Sequence, residues 1–219
     1  MRRLALHPER LALALAALAW AWMVGHAAVA HRFACCASTP SWPEDLLGWT
    51  AMVAAMMVPA RLAQLRDVAA RSYRARRLRA VVAYLLGYFA WWVALGIAVC
   101  TARGLAVPLP GATAFAVLAA GWALLPIRER WHRRCHRRIP LYPLTWRADL
   151  SAFHQGAVNG APCAAMCWPL MVACTITNHN LIMMVVCTAL VAFESRMRRL
   201  RRAPLVLGAL GVAVLTLAC

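Results

Sequence analysis

Sulfur is the donor chemistry this sequence offers most freely: 9 Cys and 10 Met, with 7 His beside them, in 219 residues. After Pro162, Cys163, Cys167, Met171 and Cys174 follow one another at intervals of 4, 4 and 3, and Met166 stands three after Cys163. On a helix that spacing puts the sulfurs on one stripe, which rises about 16 Å from Cys163 to Cys174. Upstream, Met52 and Met56 share a helical face and are followed by Met57 and Pro59. Downstream, Met183 and Met184 lie one turn before Cys187. Thiolates and thioethers select soft ions, above all Cu(I), and these stretches nearly lack the carboxylates a Mg, Ca or Mn site would use. Against this stands a bland account: Cys is a small hydrophobe and Met fills irregular gaps in cores, so packing alone can produce such stripes.

Two details favour chemistry at Cys163. Asn159-Gly160-Ala161-Pro162 precedes it, and Pro is at home in a first helical turn, so a helix or half-helix is expected to start there. Unpaired N–H groups and the helix dipole would then favour the Cys163 thiolate. Pro169 should kink the same helix and free a carbonyl near Cys167. A second cluster, His132, Cys135 and His136, is spaced for one helical face within an Arg-rich run. It could hold copper or zinc with one position open; a basic helix on anionic headgroups explains it without metal. Elsewhere, His26, His31, Cys35, Cys36 and the turn Asn178-His179-Asn180 place further donors near span ends.

The elements that must carry these residues are membrane helices. The chain is 63% apolar and 14% charged, against roughly 45–50% and about 25% for soluble domains. Crossing the hydrocarbon core takes about 20 mostly apolar residues. Seven stretches are expected to do so: Leu11 to Ala30, Leu46 to Leu65, Ala80 to Thr101, Pro108 to Ile127, Ala161 to Ile176, Leu181 to Phe193 and Ala203 to Ala218. Arg61, near one end of the second, is expected to snorkel to the interface. All 24 basic residues are Arg, against 7 acidic residues, for a net charge of +17. Of these, 22 fall in the N-terminal tail or after spans two, four and six; only Arg32 and Arg103 do not. That alternation predicts the N-terminus inside and the C-terminus outside, and it leaves the charge no need of a nucleic-acid partner.

The first span has a competing reading. Arg2, Arg3, the run to Trp22 and Ala28-Val29-Ala30 also resemble a signal peptide with a small-residue cleavage site. Trp42, Trp49, Trp122, Trp131 and Trp146 fall near span ends, as interfacial rings do. The polar stretch Arg128 to Asn159 is too short for a soluble domain of its own. The expectation is one all-α polytopic membrane domain, residues 1–219.

Several short motifs resemble a bacterial family of predicted metal-binding integral membrane proteins, a domain of unknown function. They are Trp49-x-x-Met52-x-x-Ala55-Met56-Met57-x-Pro59, Gly87-Tyr88 before Trp91-Trp92, and Cys163-x-x-Met166-Cys167-Trp168-x-Leu170-Met171. Asn180 before Met183-Met184, and Glu194 after the sixth span, extend the match. That family typically has a third cysteine where Met166 stands, a cysteine where Trp131 stands, and a methionine where His179 stands. Two of the three changes keep a metal donor. The Trp131 change removes a two-cysteine loop site, although His132 and His136 could substitute beside Cys135.

The leading expectation is a bacterial inner-membrane protein that binds or moves a soft metal, Cu(I) before zinc, with the question of enzymatic activity left open. Its donors would be Cys163, Met166, Cys167, Met171, Met52, Met56, Met57, Met183, Met184 and His179, with Cys135, His132 and His136 on the cytoplasmic side. Partners would be the bilayer, the metal ion, and a metallochaperone or membrane complex. The chain has no Walker motif for ATP use. Two other readings stay open: a thiol–disulfide oxidoreductase using Cys35/Cys36 and Cys163/Cys167, although no Cys-x-x-Cys pair is present, and a non-catalytic assembly subunit.

Overall fold

The computed structural model describes residues 8–32, 41–105, 111–142 and 145–196, together with Gly211. Eight α-helices and no strand occur among them: α1 (Pro8–Arg32), α2 (Trp42–Ala60), α3 (Leu62–Arg71), α4 (Arg77–Gly104), α5 (Ala112–Leu124), α6 (Ile127–Cys135), α7 (Thr145–Ile176) and α8 (Leu181–Arg196). A short 3-10 turn, Arg74–Arg76, precedes α4. Three helices, α1, α4 and α7, are long and apolar enough to cross a membrane, or up to five spans if each bent pair counts as one. The seventh expected span, Cys35 and Cys36 lie outside the described residues.

Several expected spans differ in shape. The second is bent by 70° between α2 and α3, and the fourth by 88° between α5 and α6. Leu125, before Pro126, is extended (ψ 132), as the pyrrolidine ring requires of its predecessor. The fifth does not begin at Ala161: α7 is one helix of 32 residues with Pro162 and Pro169 inside it. Most of the polar stretch 128–159 is therefore helical. The sixth, α8, has 16 residues, a length of about 24 Å.

Proline inside an apolar helix leaves the carbonyl four residues earlier without its N–H partner. Tryptophans from neighbouring helices fill that need twice. Pro59 frees Ala55 O, which accepts from Trp20 Nε1 of α1 at 3.0 Å. Pro169 frees Ala165 O, which accepts from Trp122 Nε1 of α5 at 3.1 Å. Trp122 thus serves a helix contact. Trp49, expected at a boundary, is fully buried and donates to Trp92 O at 2.8 Å.

The most extensive helix contact joins α4 to α7, and its closeness rests on glycine. A Cβ on Gly156 would meet Tyr84 O, one on Gly87 would meet Phe153 O, and one on Gly160 would come within 2.7 Å of Tyr88 O. Small residues at such crossings let backbones approach. Gly160, expected to break the fifth helix, instead packs it. The outer surface carries exposed apolar side chains such as Leu18, Leu86 and Ile182, while Met, Tyr, Trp and Cys fill the interior.

Candidate metal centre

The face of α7 that carries the sulfur also carries a run of polar groups at intervals of four: Ser151, Gln155 and Asn159, then Cys163, Cys167 and Met171. All six are buried, and the polar members organise the chain around the site. Ser151 Oγ accepts from Tyr142 N at 3.2 Å. Gln155 accepts from Ile139 N at 2.5 Å and donates to Arg137 O at 2.6 Å. These bonds pin the segment after α6 against α7. Asn159 Nδ2 donates to Tyr84 OH at 3.2 Å, which fixes the floor below Cys163.

Because α6 turns back at Pro126, its buried His132 and Cys135 face α7. Cys135, Cys163, Met166 and Cys167 line one cavity with His132 and His136; Arg61, Val191, Glu194 and Ser195 complete its wall. Its volume is about 10 Å³, close to the roughly 10–15 Å³ that admits one water-sized occupant. Cys135 Sγ stands 3.7 Å from Met166 Sδ. Among the described residues no three His, Cys, Asp or Glu side chains form a ready-made metal cage. The donors gathered here are three thiols and a thioether with two imidazoles beside them, a set that suits Cu(I) better than a hard cation.

Arg61 does not snorkel. It is 5% exposed and turns inward at the break after Pro59. Its Nη2 donates to Cys163 Sγ at 3.0 Å, and its guanidinium lies 5.9 Å from the centre of the Tyr88 ring. Tyr88 OH is also 3.0 Å from Cys163 Sγ. The Nε and Nη1 atoms of Arg61 are buried without a partner among the described residues, and no carboxylate pairs with it there. A buried guanidinium needs an anion; the group in position to be one is the Cys163 thiolate. The helix N-terminus expected to favour that thiolate is absent, since α7 begins 18 residues earlier, and Arg61 takes its place.

A second buried charge pair closes the wall. Arg128 Nη2 bonds Glu194 Oε2 at 2.9 Å, the two side chains 4% and 6% exposed, and His132 Nδ1 is 4.0 Å from Glu194 Oε1. Breaking one side of such a pair leaves a charge stranded. Arg128→Leu is therefore expected to destabilise the fold by about 3–5 kcal/mol, read as a lower thermal unfolding midpoint in detergent. Adding Glu194→Leu should restore most of it.

His136 lines this cavity and a larger one beside it, about 150 Å³, bounded by Gln64, Asp67, Arg71, Arg138 and Asn159 among others. Gln64 Nε2 stands 2.9 Å from His136 Nδ1. Partial burial, then Arg61 and His132, hold the His136 imidazole down to about 4, so it is neutral at neutral pH. The remaining expected donors lie elsewhere. Met52, Met56, Met57, Met171, Met183 and Met184 are buried in the same core but do not line this cavity. His179 sits in the α7–α8 turn at the other end, against Gly48, where burial, then Arg103 and His26, hold it down to about 4.

Sequence reasoning passed over Arg61, Arg128 and Tyr84 as site residues. A charged residue inside an apolar span is a functional candidate by default, and that signal pointed to Arg61. Compared with known proteins, residues 46–219 match a family model described as PpoB2, copper chaperone. No curated protein and no solved structure matches the chain.

Proposed function

Because this chain belongs to the copper chaperone family PpoB2, we propose that it is an integral protein of the bacterial cytoplasmic membrane that accepts Cu(I) and passes it on. The cargo site is the cavity of Cys135, Cys163, Met166 and Cys167, with His132 and His136 at its rim. The observation that carries this reading is three thiols and a thioether around one atom-sized space, with Arg61 held against Cys163. Copper on two thiolates carries one net negative charge, which the guanidinium balances. Any thiol that enters neutral loses its proton on binding; the sulfur paired with Arg61 has none to lose.

Direction and topology belong to the same proposal. The exposed apolar side chains suit lipid as solvent, and the arginine pattern favours seven spans with the N-terminus inside and the C-terminus outside. Cytoplasmic copper would then reach the sulfur through the larger cavity at Gln64 and His136. Met171 and the methionines of α2 and α8 would receive it beyond, and a metallochaperone or membrane complex would be the exchange partner. The test is detergent-purified full-length protein loaded with Cu(I) under reductant. The expected result is retained copper with a sulfur-only shell at about 2.3 Å by X-ray absorption. No retained copper, or a shell of nitrogen and oxygen, would overturn the reading. A reporter fused at the C-terminus should be active only outside.

A further inference from the structure

Cys174 and Cys187 take no part in the centre at Cys163. Cys174 lies three turns farther along α7, about 16 Å from Cys163 along the axis, and Cys187 lies on α8; both are fully buried. The turn between the helices sets their register. Asn178 and His179 adopt left-handed backbone (φ 50 and 58). Asn178 N donates to Thr175 O at 3.1 Å, and His179 N to Cys174 O at 2.8 Å, the paired bonds of a Schellman ending. Asn180 Oδ1 then caps α8 by accepting from Ile182 N and Met183 N at 3.0 and 3.2 Å. So fixed, the two sulfurs face each other 3.7 Å apart.

We propose that Cys174 and Cys187 form a second Cu(I) site, with the thioether of Met171 or Met184 as the third donor. This rests on the copper reading above and adds a relay stage beyond the first centre. Two sulfurs each about 2.3 Å from one ion, at trigonal or tetrahedral angles, stand roughly 3.8–4.0 Å apart. The observed separation is near that span and far from the bond length of about 2.05 Å in a disulfide. Met171 and Met184 each lie three residues before one of the thiols, on the same helical face, and both are fully buried. Thr177 Oγ1, 3.3 Å from Met183 Sδ, holds a further sulfur at this level. No charged side chain forms a hydrogen bond to either thiol among the described residues. Cu(I) on the two thiolates and a thioether carries one net negative charge, and binding releases both thiol protons to the medium.

The experiment is a Cu(I) titration of the full chain in detergent with reductant, against a chromogenic Cu(I) chelator. Wild type should bind about two Cu(I) per chain and Cys174→Ala/Cys187→Ala about one. Cys163→Ala/Cys167→Ala should also lose one, and its remaining copper should keep a sulfur shell. Cys187→Val, which fills the space without a donor, must lose the same equivalent as the double alanine. Wild-type stoichiometry and affinity in both the Cys174/Cys187 variants would overturn the second site and leave the first intact. A Cys174–Cys187 disulfide that persists through copper loading would also overturn it. If Cys163→Ala/Cys167→Ala alone binds like wild type, the first centre fails and the second stands.

Discussion

Serine at Cys163 is expected to strip the first centre of copper and, in the same protein, to destabilise the metal-free fold. The two effects have different causes. A hydroxyl is a hard, neutral donor at neutral pH, so the site loses its best-placed soft ligand, and Cu(I) affinity there should fall by more than about 100-fold. The stability loss comes from Arg61, whose Nη2 bonds Cys163 Sγ and whose other donors are already unpartnered among the described residues. Taking away its one side-chain hydrogen-bond partner among the described residues strands a buried guanidinium, at a cost of about 3–5 kcal/mol. Adding Arg61→Leu separates the causes: the double variant should regain its unfolding midpoint and still fail to hold copper at this centre. If the single variant unfolds like wild type, the Arg61–Cys163 pair is not ionic and the charge-balance argument falls.

Much of this site was legible at the level of single elements. The stripe Cys163, Met166 and Cys167 is written in intervals of three and four, and His132, Cys135 and His136 in the same way. What the sequence did not reveal is that the two clusters share a cavity. That depends on the 88° turn at Leu125-Pro126, read as the plain end of a span. It depends also on α7 starting at Thr145, inside a stretch whose Arg, Ser, Gln and Asn looked like a loop. Those polar residues are helical because Gln155 and Asn159 find partners across the bundle, a tertiary fact with no local signature. Arg61 shows the opposite error. Its position in an apolar span was visible, and the snorkelling explanation fitted its distance from the span end. Only the break after Pro59, which points the side chain inward, decides the matter.

Alanine at Gly156 is expected to cost the protein most of its folded yield. The added methyl would fall on the backbone carbonyl of Tyr84, which cannot swing aside as a side chain could. Either α7 moves away from α4 or the local helix distorts, and overpacking of this kind costs about 3 kcal/mol or more. The site suffers first, because α4 holds Tyr84 and Tyr88 against Asn159 and Cys163 at 3.2 and 3.0 Å. Gly121 supplies the control, since an added Cβ there meets nothing within 4 Å. There the same change should be neutral or add about 0.5–1 kcal/mol from helix propensity. Fluorescence-detected size exclusion after heating reads both variants, with copper retention measured on whatever Gly156→Ala protein remains. Equal behaviour of the two would mean the α4–α7 contact is looser than its glycines imply. The tyrosine and the thiol would then not be held by that crossing.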